Sequence, residues 1–524
     1  MEPRARSSAD ETRRAGRGFL TIGAAKVYFI VASFVVQFGL PRLFGDAADF
    51  GLYAQAMAGV AILTNVLIAA TLQSVSKLVS EAPHRAEATA RRAIQLQAVV
   101  GGVLAVALAG LAGPLADASR DPALAPLIRA ASVVVLSYSV YAALVGRLNG
   151  EERFAEQARL DAGFTTLRTT GILAGAAMGF GAIGAVAGFA LASAAILTIA
   201  LVRVGLGKEG EAPSLSRFVT FMAPVWVYQG LMNGMLQIDL WVMKPILVDA
   251  LAAVTASLEE AAARASEIVG HYRGAQNFAF VPYQLVLATT FIVLPMVSRA
   301  IASGDEPKAR ATVRNALRFS LLAAAFFAAP LAGTRDALLG LAYPADYAIA
   351  SEAFLRLVAG VVPFTVFVVS ATILNGAGLP RISALLSLSG VILVVALNGA
   401  LVARAGTSEP AALEAASTAT SVGMLVTCAL SGAATQYRFR TFVALATFVR
   451  ALLASLGAYA AARGIDVFLH GLGGGLAHPF TRAALGLSGG AAAFLVIALL
   501  ARELGRPELE TFRRIVSKKG SSEP

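Results

Sequence analysis

Polar and ionisable side chains lodged inside long apolar runs are the residues of this chain best placed to do chemistry. Burying such groups in lipid is costly unless they face water or a partner. Lys26 is the clearest, and Ser33 and Gln37 follow it at i+7 and i+11. At about 100° per residue these three share one helix face. A second stripe reads Gln229, Asn233 and Gln237, flanked by Tyr228 and Asp239. A third reads Arg273, Asn277 and Gln284, with Gln276 beside it. The chemistry on offer is the binding of a polar ligand or ion in a cavity; the alternative is hydrogen bonding between helices. Lys26 reads as cavity-facing, against a structural lysine bonded to carbonyls or snorkelling to an interface. Asp239 and Arg273 lie toward the same side of the membrane, so a buried ion pair between them is expected, structural or functional. Lys244 sits near enough to a span end to snorkel. Arg168 and Arg318 lie one or two turns from span ends and read as interfacial.

Other chemistries are poorly represented. No P-loop, G-x-S-x-G or H-E-x-x-H motif is present, nor an Asp-rich metal motif, so no catalytic residue is nominated. A lone Cys428 and four scattered histidines argue against a disulfide framework and a metal site. No cofactor is implied. The 524 residues are 57% hydrophobic and 14% charged, far below the roughly 25% charge of soluble domains. A core that apolar must meet lipid. The net charge of +11 sits where it would set topology and touch anionic headgroups, which disfavours nucleic acid as a partner.

The elements that must position these side chains are apolar runs of about 20 residues. About fourteen transmembrane helices are expected, near 18–40, 52–74, 93–115, 125–147, 160–180, 182–202, 218–243, 271–296, 313–333, 354–376, 382–402, 416–436, 442–462 and 482–502. With the N-terminus in the cytoplasm, roughly 28 Lys and Arg fall inside against about 10 outside, which puts both termini inside. The basic N-terminus ahead of the first run reads as retained rather than as a signal peptide. Residues 249–268 contain good helix formers and Glu259-Glu260, with Leu251, Val254 and Leu258 at helical spacing. They are expected to form a short amphipathic helix on the outer surface, a tolerated insertion or a lid.

The chain also repeats itself. Residues 50–81 and 269–300 align without a gap, pairing Gly51 and Tyr53 with Gly270 and Tyr272, and Asn65 with Gln284. Leu148-Asn149-Gly150 returns as Leu374-Asn375-Gly376. Two echoes in the same order imply an internal duplication, with a site between the halves and Asn65 and Gln284 lining one cavity.

The run LPRLFGDAADFGLYAQAMAGVAIL with SVSKLVSE resembles the first spans of bacterial polysaccharide-unit exporters of the multidrug/oligosaccharidyl-lipid/polysaccharide (MOP) flippase superfamily. QIDLWVMKPIL followed by VGHYRGAQNFAFVPYQLVLATTFIVLPMVSRA resembles spans seven and eight of that family, and ATILNGAGLP its span ten. The resemblance implies an all-α membrane protein: a basic segment 1–17, a lobe 18–210, a facing lobe 211–436 in a V, two extra helices 437–502 and a basic tail 503–524. It also implies alternating access carrying a polyprenyl-pyrophosphate-linked glycan from the inner to the outer leaflet of the bacterial inner membrane, among envelope-polysaccharide assembly proteins. Lys26 and Arg273 would then meet the diphosphate. Asn65, Gln229, Asn233, Gln237 and Gln284 would bond phosphate or sugar. Peptidoglycan-precursor flippases of the family carry several arginines in span one; here only Lys26 stands there, which favours a polysaccharide unit over lipid II. The alternatives are a drug/cation antiporter with Asp239 as coupling carboxylate, a polymerase or ligase, and a transport-dead scaffold. Proton, sodium or membrane potential could each drive the cycle.

Overall fold

A computed structural model describes residues 8–302 and 305–503, leaving out the side chains of residues 8–24, 26, 288–292, 294, 295, 298 and 302. The described chain is all helix, without a strand. The helices are α1 (Ser8–Phe44), α2 (Ala47–Glu81), α3 (Ala86–Gly110), α4 (Ala112–Ala118), α5 (Leu124–Gly150), α6 (Phe154–Gly175), α7 (Gly181–Val204), α8 (Leu215–Leu251) and α9 (Leu258–Ala279). They continue as α10 (Val281–Ala302), α11 (Glu306–Gly333), α12 (Arg335–Ala342), α13 (Ser351–Gly376), α14 (Pro380–Ala405), α15 (Glu409–Phe439), α16 (Leu445–Leu472) and α17 (Pro479–Leu500). Among the described residues, 11 stretches are long and apolar enough to cross a membrane, one of them (Phe154–Val204) holding both α6 and α7. The polar stripe of α8 keeps that helix outside the set, so fourteen stands as an approximate count.

Two compact units divide the chain. One comprises Met1–Arg273 with Asn398–Ala412, the other Gly274–Leu397 with Leu413–Pro524. This division groups α8 with the first seven helices, whereas the sequence reading sets its boundary at 211. In the first unit α2 packs on α5 and α8, α5 on α3 and α7, and α6 on α1 and α7. In the second, α10, α11 and α13 pack on one another, and α16 and α17 lie against α11.

The order of elements echoes itself. Long helices α2 and α3, short α4, and α5 ending at Gly150 are answered by α10, α11, short α12, and α13 ending at Gly376. The second copy of the 50–81 repeat is broken, however. A turn at Phe280 separates α9 from α10, because Pro282 has no N–H to donate and its ring crowds the carbonyl four residues back. The 249–268 segment also differs from expectation. Leu251 ends α8 and is buried, Val254 is an exposed loop residue, and Leu258 opens α9. The segment is thus a helix–loop–helix corner rather than a separate surface helix. Its second arm buries Ala261, Ala265, Ser266 and Val269.

The two repeated glycines meet. A Cβ placed on Gly51 would lie 1.8 Å from the Ser266 carbonyl oxygen, and one on Gly270 would lie 2.1 Å from the Ala47 carbonyl oxygen. Ser266 and Ala47 are matched positions when the repeat is extended by one turn, so each copy presses the same backbone atom on its counterpart's glycine. Only glycine permits that approach.

Both ends of the α16–α17 pair are fastened by ions. Asp466 accepts from Arg482 Nε at 2.9 Å and Arg463 Nη1 at 3.1 Å, and Arg463 also reaches Asp336. At the other end Glu503 accepts from Arg318 Nε at 2.7 Å, Thr447 Oγ1 at 3.0 Å and Arg450 Nη1 at 3.2 Å. Burial alone would raise the Glu503 pKa, but these donors outweigh it and hold the carboxyl below the ordinary glutamate range.

Two outcomes are expected. Gly51→Val should lower the thermal midpoint in detergent sharply, an overpacking cost of about 1–3 kcal/mol or more. Gly102→Ala, with nothing within 4 Å of its new Cβ, should be neutral or stabilising. A depressed carboxylate pKa adds stability above the unfolded value and loses it as pH falls through the folded value. The stability gap between the native chain and Glu503→Gln should therefore be full at neutral pH and close as the pH is taken below about 4.3.

Candidate functional site

The first unit encloses a cavity of about 460 Å³ whose wall is mostly apolar and aromatic. Its polar lining comes from six helices. Gln37 comes from α1, Tyr53, Thr64 and Asn65 from α2, Tyr138 and Tyr141 from α5, and Asp161, Thr165 and Arg168 from α6. Gln237 of α8 and Arg273 of α9 complete it. Both arginines lie within electrostatic reach of the Tyr53 hydroxyl, so their charges converge on one space.

Arg168 is held by rings rather than by anions. Its guanidinium lies over Phe29, 4.9 Å from the centroid, and over Phe189 at 5.5 Å. These cation–π contacts occupy its faces, and its Nε is buried without an acceptor among the described residues. A buried donor left unpaired costs free energy, so this edge is a place for an acceptor that the described residues do not supply. Arg273 differs, since its Nη1 donates to Gln237 Oε1 at 3.2 Å.

The structure brings some of the sequence-nominated residues together and separates others. Asn65, Gln237 and Arg273 line the cavity. Asn65 Nδ2 donates to Asn233 Oδ1 at 2.8 Å, and Asn233 Nδ2 donates to the Gln229 backbone carbonyl at 2.8 Å, which fixes the Asn65–Asn233 pair at the wall. Gln284 belongs to the second unit and is exposed on α10. The turn at Phe280 interrupts the helix between it and Arg273. Asn277 instead donates to the Tyr343 hydroxyl at 3.1 Å. Asp239 is fully buried, accepting the Tyr272 hydroxyl at 2.8 Å and the Leu240 amide at 2.9 Å. The Lys26 side chain lies outside the described residues. Gln37 of the same stripe does reach the cavity.

Two sequence-based assignments need correction. Arg168 is a wall residue, not an interfacial one; it shares a face of α6 with Asp161, Phe164 and Thr165 at i, i+3, i+4 and i+7 spacing, a signal present in the sequence. Lys244 does not snorkel. It is completely buried, and its Nζ donates to Asp121 Oδ2 at 2.6 Å and to the Ser266 hydroxyl. An acidic partner on the α4–α5 connection retains it, and sequence distance hid that partner.

Breaking this pair from one side leaves a buried charge. Lys244→Met should cost roughly 3–5 kcal/mol, read as a lowered thermal midpoint in detergent. Adding Asp121→Asn to Lys244→Met should recover most of the loss. Equal stability of native chain and Lys244→Met would show that the pair carries no such weight.

Known structures share this fold. The lipid II flippase MurJ in an inward closed conformation matches with a TM-score of 0.69 at 13% identity, over 93% of this chain and 99% of that one. An inward-facing multidrug resistance MATE family transporter of the MOP superfamily matches at 0.61 and 14% identity, over 79% and 94%. A MOP superfamily transporter from Pyrococcus furiosus matches at 0.57 and 13%, over 81% and 95%. No curated protein sequence matches significantly. The sequence profile described as "Polysaccharide biosynthesis protein" matches residues 40–352, more than half of the chain. This chain therefore belongs to the polysaccharide biosynthesis protein family, a multi-pass membrane protein with the fold those transporters share.

Proposed function

We propose that the protein flips a polyprenyl-diphosphate-linked glycan from the inner to the outer leaflet of a bacterial cytoplasmic membrane by alternating access, with both termini cytoplasmic. The observation that carries this reading is the pairing of Arg168 and Arg273 in one cavity of a membrane-embedded unit. Two guanidinia in a low-dielectric wall attract an anion far more strongly than they would in water, and arginine's planar fork suits phosphate oxygens. The same charges repel a cationic drug, which weighs against an antiporter of cations. Asn65 and Gln237 stand on the same wall to bond phosphate or sugar, while the lipid tail remains in the bilayer. Asp239, buried beneath Tyr272, is the carboxylate we assign to ion coupling.

The test is flipping of a fluorescent polyprenyl-diphosphate sugar in proteoliposomes. A hydrogen bond to a charged group is worth about 1.5–3 kcal/mol, so Arg168→Ala and Arg273→Ala should each slow flipping by about tenfold or more. Unchanged rates in both folded variants would remove this cavity from the transport path. A native chain that moves no lipid-linked sugar but expels a cationic dye would replace the reading with the antiporter.

A further inference from the structure

Among the described residues, the wall of the cavity carries a carboxylate, Asp161, as well as its two guanidinia. Asp161 and Arg168 both line the space. They stand two turns apart on one face of α6, about 10 Å along the helix at 1.5 Å per residue. Phe164 and Thr165 lie between them on that face. A carboxylate repels phosphate, so Asp161 is misplaced as part of a diphosphate site. It accepts hydrogen bonds and never donates them, as it does from the Tyr141 hydroxyl at 3.1 Å.

The surroundings of Asp161 are aromatic. Phe164 meets Tyr138 edge-on with centroids 5.1 Å apart and Tyr141 at 5.7 Å, and Tyr138 meets Phe189 at 6.0 Å. The cluster therefore runs without interruption from Asp161 to Phe189, one of the two rings that clamp Arg168. Ring faces beside a fixed hydrogen-bond acceptor match the two-sided character of a pyranose, whose C–H face is apolar and whose rim carries hydroxyl donors. The order along α6 is then guanidinium, rings, carboxylate, which parallels diphosphate, sugar ring, sugar hydroxyls.

The geometry points to a sugar subsite formed by Asp161, Tyr138, Tyr141 and Phe164, which takes the first sugar after the diphosphate and selects an uncharged hexose or N-acylhexosamine against an acidic sugar. This inference rests on the flippase reading above. It assigns Asp161 as the specificity-determining residue: a uronic acid in this place sets a second carboxylate beside the first in a low-dielectric wall, and like charges there disfavour each other.

Three probes separate the ideas: farnesyl diphosphate, a short polyprenyl-diphosphate N-acetylglucosamine, and the same lipid carrying glucuronic acid. Dissociation constants are measured on the full-length protein in nanodiscs. The native chain should bind the N-acetylglucosamine lipid about tenfold or more tighter than the glucuronic acid lipid. Asp161→Asn, nearly isosteric, should collapse that ratio to about twofold, chiefly by strengthening the acidic probe. Tyr138→Leu should remove the preference for the N-acetylglucosamine lipid over farnesyl diphosphate, and it stands as an independent reading should Asp161→Asn fail to fold. Arg168→Gln should weaken all three probes.

Unchanged ratios in Asp161→Asn and Tyr138→Leu, with all probes weakened in Arg168→Gln, would overturn the sugar subsite while leaving the diphosphate site standing. Failure of the native chain to bind any of the three would overturn both. Tyr141→Phe removes the phenol donor but keeps the ring. If it reproduces a stability loss seen in Asp161→Asn while both variants keep the native ratio, Asp161 is a structural partner of Tyr141 and the proposal fails.

Discussion

Apolar side chains gain little by leaving lipid for one another, so helices in a membrane are held by how closely their backbones can approach. In the first unit the closest approach is the crossing of α2 and α9, where Gly51 and Gly270 each lie under a carbonyl of the other helix. The polar architecture of that unit follows from it. Tyr53, two residues beyond Gly51, and Arg273, three beyond Gly270, are both delivered to the cavity wall. Tyr272 is turned to Asp239. Ser266, whose carbonyl covers Gly51, gives its hydroxyl to the Lys244–Asp121 pair. A side chain at either glycine would separate the helices and displace all of these groups together.

Charge in a low-dielectric interior must be matched, and the first unit matches it in two distinct ways. Lys244 has a carboxylate and a serine hydroxyl, so it is satisfied within the protein. Arg168 has aromatic faces and a buried Nε without an acceptor among the described residues. That contrast separates structural from functional charge more sharply than position along a span does. By depth alone Lys244 and Arg168 are similar; by partners they are opposites.

The sequence was informative where physics is local and periodic. The G-x-Y repeat marked the pair of glycines that meet, the Asn-Gly echo marked the ends of α5 and α13, and the α8 stripe marked residues at or just behind the cavity wall. Reading failed where continuity was assumed. Treating 271–296 as one span put Gln284 on the face of Arg273, although Pro282 stands between them and ends the helix. It also failed where a partner was remote. Nothing near Lys244 in sequence announces Asp121, and a lysine without a visible partner reads as one that must reach an interface. The α6 face of Asp161, Phe164, Thr165 and Arg168 stands at helical spacing, but Arg168 alone was read, as interfacial because it lies near a span end.

A carrier must release what it binds, and the form of the Arg168 site bears on that requirement. A site too favourable for its ligand holds it instead of passing it on. A guanidinium satisfied on all sides by carboxylates would have no capacity left for an anion, and a bare one would be too costly to bury. Ring faces solve both problems at once. They lower the cost of burying the charge by about 0.5–2 kcal/mol without occupying the N–H edge, and that edge meets an anion only when one enters. Arg273 donates to the neutral amide of Gln237 on the same wall. On the proposed reading, the affinity of the wall for a diphosphate rests on the two guanidinia of Arg168 and Arg273. Because the two guanidinia stand on different helices, α6 and α9, the proposed cycle would release its ligand by any rearrangement that parts them.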